Sequence, residues 1–200
     1  MKRFGFIMLA LVLMAVLSGP AMAGERIYVD NQAAASAVKG AGIPASGGKY
    51  AVITAFSLDG AAATADAIFL VYDDEQTTLS AAEASGQTAL SLTECGTLTD
   101  DVFLFIQEDA NEPIYDVTQM SACNDTTNVA TVTATDKAFS AGSYVFEMTE
   151  GGQWADLGTT IINVSSADGI FMGNQKGTPV GIIFNGSGGS VLWVSGTHRK

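Results

Sequence analysis

Carboxylates are the residues of this chain with the most chemical potential, and they are concentrated. Between Tyr50 and Asp136 there are 15 Asp and Glu and no Lys or Arg. Two groups of acids close similar apolar runs. Asp66-Ala67-Ile68-Phe69-Leu70-Val71-Tyr72 leads into Asp73, Asp74 and Glu75, and 34 residues later Asp100-Asp101-Val102-Phe103-Leu104-Phe105-Ile106-Gln107 leads into Glu108, Asp109, Asn111 and Glu112. Hard cations take several oxygen ligands, and two acidic loops at one end of a β-sandwich would supply them. Asp73, Asp74, Glu108 and Asp109 are therefore the candidate metal ligands, with calcium the candidate ion. No EF-hand spacing accompanies them, and the competing reading makes them solvated turn residues. The same acids would also serve a glycoside hydrolase, which needs two carboxyl groups roughly 5–9 Å apart across a cleft.

A second chemistry is stacking. Trp154 lies in Gly151-Gly152-Gln153-Trp154-Ala155-Asp156-Leu157-Gly158, a glycine-flanked segment that would present an indole face, with Gln and Asp beside it, to a carbohydrate ring. The alternative is a tryptophan folded into the core, since large aromatics are highly buried on average. Trp193, within Val191-Leu192-Trp193-Val194, reads as core.

Other chemistries are thinly provided. His198 is the single histidine, which argues against Ser-His-Asp hydrolysis and His-ligated zinc or copper. Cys95 and Cys123 are the only cysteines, too few for a Cys-only zinc site, and in an exported chain such a pair forms a disulfide. Gly42-Ile43-Pro44-Ala45-Ser46-Gly47-Gly48-Lys49 misses the phosphate-cradling P-loop by one residue and lacks the following Ser or Thr.

Export itself is read from the first 23 residues. Met1-Lys2-Arg3 is a basic start, Phe4 to Leu17 is apolar apart from one glycine, Ser18-Gly19-Pro20 breaks the helix, and Ala21-Met22-Ala23 offers small residues to a signal peptidase. The segment is too short and wrongly flanked for a membrane anchor. Its removal leaves seven Lys and Arg against 21 Asp and Glu, formally −14. Such a surface repels nucleic acid and anionic lipid. The expected location is secreted: extracellular, cell-surface or periplasmic, with no integral membrane segment after processing.

The elements that must position these residues are strands. Val, Ile, Phe and Tyr fall in short runs separated by turn residues, a rhythm of about nine or ten strands and an all-β antiparallel sandwich. The two apolar runs suit strands buried on both faces, and Val129-Ala130-Thr131-Val132-Thr133 suits a strand with one face wet. One or two short helices are expected. One covers Thr78 to Ser85, where Ser80 and Glu83 have capping-box spacing and Gly86 is a stop; the other is an option within Asn31 to Lys39. Gly40 to Gly48 reads as a loop. Asp168-Gly169 and Asn185-Gly186 read as hairpin turns, joining 159–167 to 170–172 and 180–184 to 191–194.

The organisation expected is thus a signal peptide (1–23), an N-terminal arm and Gly-rich loop (24–48) and a sandwich domain (49–200). Scarce histidine and a Thr/Gly/Ala-rich strand composition favour a non-catalytic extracellular or cell-surface structural protein: a filament, coat or matrix subunit. It would self-assemble into a homo-oligomer or fibre through strand contacts, with the segment Glu25 to Lys39 adding to a neighbour's sheet edge. The alternatives are a polysaccharide-binding module using Trp154, with or without calcium, and the carboxylate-pair hydrolase.

Overall fold

A computed structural model describes residues 40–59, 66–108, 114–154, 161–185 and 190–200. The expected signal peptide and arm, and the second helix option, lie outside the described residues. Among the described residues twelve strands form two antiparallel sheets: β1 (Gly40–Ile43), β2 (Tyr50–Asp59), β3 (Asp66–Thr78), β4 (Ala89–Ser91), β5 (Phe103–Gln107), β6 (Tyr115–Asn124), β7 (Val129–Val132), β8 (Tyr144–Trp154), β9 (Ile161–Ser165), β10 (Phe171–Met172), β11 (Val180–Asn185) and β12 (Ser190–Arg199). The large sheet runs β1-β11-β3-β8-β5-β6-β7-β4; the small one sets β12 on one side of β2 and β9 and β10 on the other. This is the all-β sandwich the sequence implies. The large sheet also curls until Gly40 of β1 pairs with Val117 of β6.

Two hydrophobic clusters fill it. The first lies between the sheets and gathers Ile43, Ile53, Phe56, Phe69, Phe105, Phe146, Ile182 and Val194 among others. The second covers the opposite face of β5 and β8 with Leu79, Leu90, Leu92, Met120, Val132 and Phe139. β5 serves both: Phe105 enters the first cluster, Leu104 and Ile106 the second. That is why its run shows no polar alternation. β7 alternates as expected, with Ala130 and Val132 buried and Thr131 exposed.

Several local expectations are corrected. No helix occurs among the described residues. The Glu83 N–H and Leu79 O that a helix over 78–85 would join go elsewhere, Glu83 N donating to Phe139 O at 2.9 Å and Leu79 O accepting from Gly142 N at 2.8 Å, while Leu79 N donates to Ser143 O at 2.9 Å and Ser80 N to Ser91 O at 2.8 Å. Burial of Leu79 in the second cluster decides the competition.

Gly40 to Ile43 is a buried strand rather than a loop. Its glycines are there for close approach: a Cβ on Gly42 would lie 2.4 Å from Val180 O and 2.6 Å from the Phe105 ring. Neither expected hairpin forms. β9 and β10 both pair with β2, so Asp168-Gly169 kinks one edge without reversing it, while Ser166 and Ile170 donate to Thr54 O and Ile53 O in succession. β11 joins β3 in the large sheet and β12 joins β2 in the small one, so the chain between them crosses from sheet to sheet. Trp193 is half-buried rather than core.

Candidate functional site

The acids after the first apolar run do not end its strand. β3 continues to Thr78, and Asp73, Asp74 and Glu75 form a bulge within it. Tyr72 lies opposite Met148 and Gln76 opposite Phe146, so β3 spends four steps where β8 spends two. The bulge lets Asp73 and Asp74 stand out to solvent, and the ladder resumes at Gln76, with the buried Thr77 following it. Asp74 takes a left-handed backbone with φ 62°, tolerable because a short polar side chain bonds locally.

The two similar runs sit on either side of β8, parallel to each other. They are out of step. Phe103 matches Phe69 in sequence, yet it shares its level on β8 with Tyr72, because both face Met148. Glu108 follows the Gln107–Tyr144 pair, five residues beyond Phe103, or about 16 Å along the sheet at the usual strand rise. Asp73 and Asp74 are thus neighbours, Glu108 stands apart from them, and Asp109 lies outside the described residues. Among the described residues no three His, Cys, Asp or Glu side chains converge.

Many carboxylates in this half hold backbone instead. Glu83 Oε1 accepts from Ser91 N at 2.8 Å, Glu147 Oε2 from Thr99 N at 3.0 Å, Asp100 Oδ1 from Cys123 N at 3.1 Å and Glu108 Oε1 from Ser140 N at 2.9 Å. Asp116 accepts twice, from Val117 N at 2.9 Å and Asp136 N at 2.6 Å. Bonds to an ionised acceptor are stronger than neutral ones, and they fix loops that have few apolar side chains. Burial pushes the Asp116 carboxyl up to about 6, against the lowering effect of those two N–H groups and of Lys137; the Asp136 charge adds to the rise. The absence of Lys and Arg between residues 50 and 136 is the sequence signal for this: with no base in the stretch to pair them, the acids turn to peptide N–H groups.

Cys95 and Cys123 are disulfide-bonded, with Cα atoms 5.8 Å apart. The bond ties the loop after β4 to β6, and Asn128 Oδ1 accepts from Cys95 N at 3.3 Å. Trp154 is the last residue of β8, opposite Ala67; its side chain lies outside the description. His198, half-buried on β12, donates from Nε2 to Pro44 O at 2.8 Å, so it fastens the small sheet to the loop after β1.

The remaining feature is an edge. β12 pairs with β2 along Ser190 to Arg199, and no strand among the described residues is hydrogen-bonded to its other side, although β1 and the loop after it come close to it. Its ten residues, SVLWVSGTHR, hold neither Lys nor Pro. Two register shifts, at Val191/Trp193 and Ser195/Gly196, twist it. Gly196 is needed at the second, because a Cβ there would meet Val52 O at 2.2 Å and Ile43 at 2.6 Å.

No family model matches the chain, and no curated protein matches it. Among solved structures it is similar to VP17, a capsid protein of bacteriophage P23-77, over 90% of this chain and 89% of that one. The identity is 11% and the TM-score 0.17, a likeness that carries no argument about fold or role.

Proposed function

We propose that this chain is an exported, non-catalytic structural subunit that assembles through strand contacts at the edge of β12. The observation that carries the reading is that edge: ten residues, paired on one side among the described residues, without the Lys or Pro that soluble proteins place there to prevent pairing. The disulfide supports an oxidising destination, and the leader-like residues 1–23 supply the route. The donor in this reading is the segment 24–39 of a neighbouring copy, adding a strand in a head-to-tail contact that need not close. Deleting residues 24–39 tests it by light scattering and negative-stain microscopy. Loss of regular assemblies, with the monomer still melting cooperatively, is the expected result. A full-length protein that stays monomeric at every concentration overturns the proposal.

A further inference from the structure

At one end of the large sheet the first cluster opens to solvent through a pocket of about 230 Å³. Its lining comes from both sheet and loops: Gln76 follows the acidic bulge of β3, Tyr144 and Phe146 stand on β8, Gln107 ends β5, and Gly47 and Gly177 form the rim. The floor is fixed. Phe146 is buried and meets Tyr72 edge-on at 5.9 Å, while the buried Gln107 amide accepts from Ala45 N at 2.6 Å and donates to Ala45 O at 3.1 Å, as a strand partner would. The wall is open: Tyr144 is 39% exposed, one of two large hydrophobic side chains that stand out among the described residues, and Gln76 is exposed beside it. The rim is bare, because a side chain at Gly47 would meet nothing within 4 Å.

We infer that this pocket binds one neutral sugar ring, stacked on Tyr144 and held through its hydroxyls by the Gln76 amide. The class of ligand follows from the lining. No charged side chain is in it, although the chain as a whole is strongly acidic, so a charged ligand would enter without a counter-charge. A purely apolar ligand would make no use of the Gln76 amide, which offers both a donor and an acceptor at the open wall. A hydroxylated ring satisfies both demands: its C–H face lies on the aromatic ring and its rim donates to and accepts from an amide that can do both. The mouth of a curled sheet is also a common position for a small-ligand site. The site is separate from the β12 edge, so its occupancy does not depend on the assembly reading.

The test is saturation-transfer and chemical-shift NMR on the full mature chain. The probes are the methyl glycosides of glucose, mannose, galactose and N-acetylglucosamine, with cyclohexanol as the apolar control. At least one glycoside binds with a dissociation constant on the order of millimolar, the range expected for one ring, and shifts the Tyr144 and Gln76 signals. Tyr144→Ala and Gln76→Ala each weaken it roughly tenfold or more, whereas Tyr144→Phe, which keeps the stacking face, stays within about threefold. Melting curves matching the wild type show that the variants are folded. Binding of none of the four sugars overturns the inference, and so does sugar binding that Tyr144→Ala leaves intact. Cyclohexanol binding as tightly as the sugars, with Gln76→Ala without effect, reduces the site to a gap in the apolar packing and overturns it equally.

Discussion

The two hydrophobic clusters are built by different means. The first is aromatic: Phe56 meets Phe69 edge-on at 5.7 Å, Phe69 stacks on Phe171 at 4.6 Å, and Phe105 stacks on Tyr115 at 5.2 Å. The strands β2, β3, β8 and β12 that contribute to it have ten or more residues, and large rings supply area and specific geometry together. The second contains a single ring, Phe139, among aliphatic side chains, and β4 and β7 that cover it have three and four residues. There the disulfide and the carboxylate-to-backbone bonds of Glu83, Glu147 and Asp116 accompany the packing. The difference teaches that the acidity of this half has a structural use. Carboxylates do locally what side-chain volume does elsewhere.

Neighbouring residues on β5 give the sharpest separation of the two. Phe105→Ala empties the first cluster and is expected to cost about 3–5 kcal/mol, and Leu104→Ala empties the second at about 2–5 kcal/mol. Hydrogen exchange should assign the loosened amides to β2 and β11 in the first case and to β4 and β7 in the second. If both variants loosen the same strands, the two clusters act as one unit and the comparison breaks.

The disulfide comes next. Replacing Cys95 and Cys123 by Ser opens a 28-residue separation and should cost about 3–4 kcal/mol in the chain-entropy account. Denaturant unfolding measures the loss. Protection in β4 and β7 should fall well before that in β2 and β12; uniform loss would show that the clip serves the whole sandwich.

Asp116 provides a smaller, pH-dependent effect. Its folded pKa, about 6, lies above the ordinary carboxylate value, so the fold favours the protonated form. The stability this contributes is fully present below about pH 4 and is lost as pH rises through about 6, amounting to about 1–3 kcal/mol between those limits. The urea midpoint should fall accordingly, and Asp116→Asn should flatten that slope whatever its own stability. An Asp116 carboxyl that titrates by NMR near pH 4 contradicts the expectation. Smallest is Glu83→Ala, which frees the Ser91 N–H at the short β4 edge and should cost about 1 kcal/mol.

Much of the fold was legible because apolar runs report burial directly. β3, β5 and β7 all begin within a few residues of where the runs place them. What escaped was pairing. Asp168-Gly169 has the composition of a hairpin turn, but the long β2 offers Ile53 and Thr54 carbonyls on both sides of it, and the ladder continues past the kink. Gly40 and Gly42 look like loop residues because sequence does not reveal which strand passes within van der Waals distance of them. The capping-box spacing of Ser80 and Glu83 is real as a pattern, yet Glu83 uses its carboxylate on Ser91, across a loop, instead of on a helix start. At the candidate sites, the cysteine pair was readable from its number together with the expectation of export. The Tyr144 pocket was not, because its lining residues come from five separate stretches and only the curl of the sheet brings them together.

The pairing of β2 with β12 has a consequence in time. Thr54 Oγ1 and Ser195 O meet at 3.3 Å across 141 positions of sequence. The segment from Leu79 to Val145, by contrast, supplies every member of the second cluster. Closing long loops is entropically slow, and ladders between distant segments form late. A chain emerging from its N-terminal end therefore has its acidic, disulfide-bearing half available to fold while β2 still waits for a partner. During that interval β2, a ten-residue strand containing Val52, Ile53 and Phe56, is the segment most in need of protection from other chains.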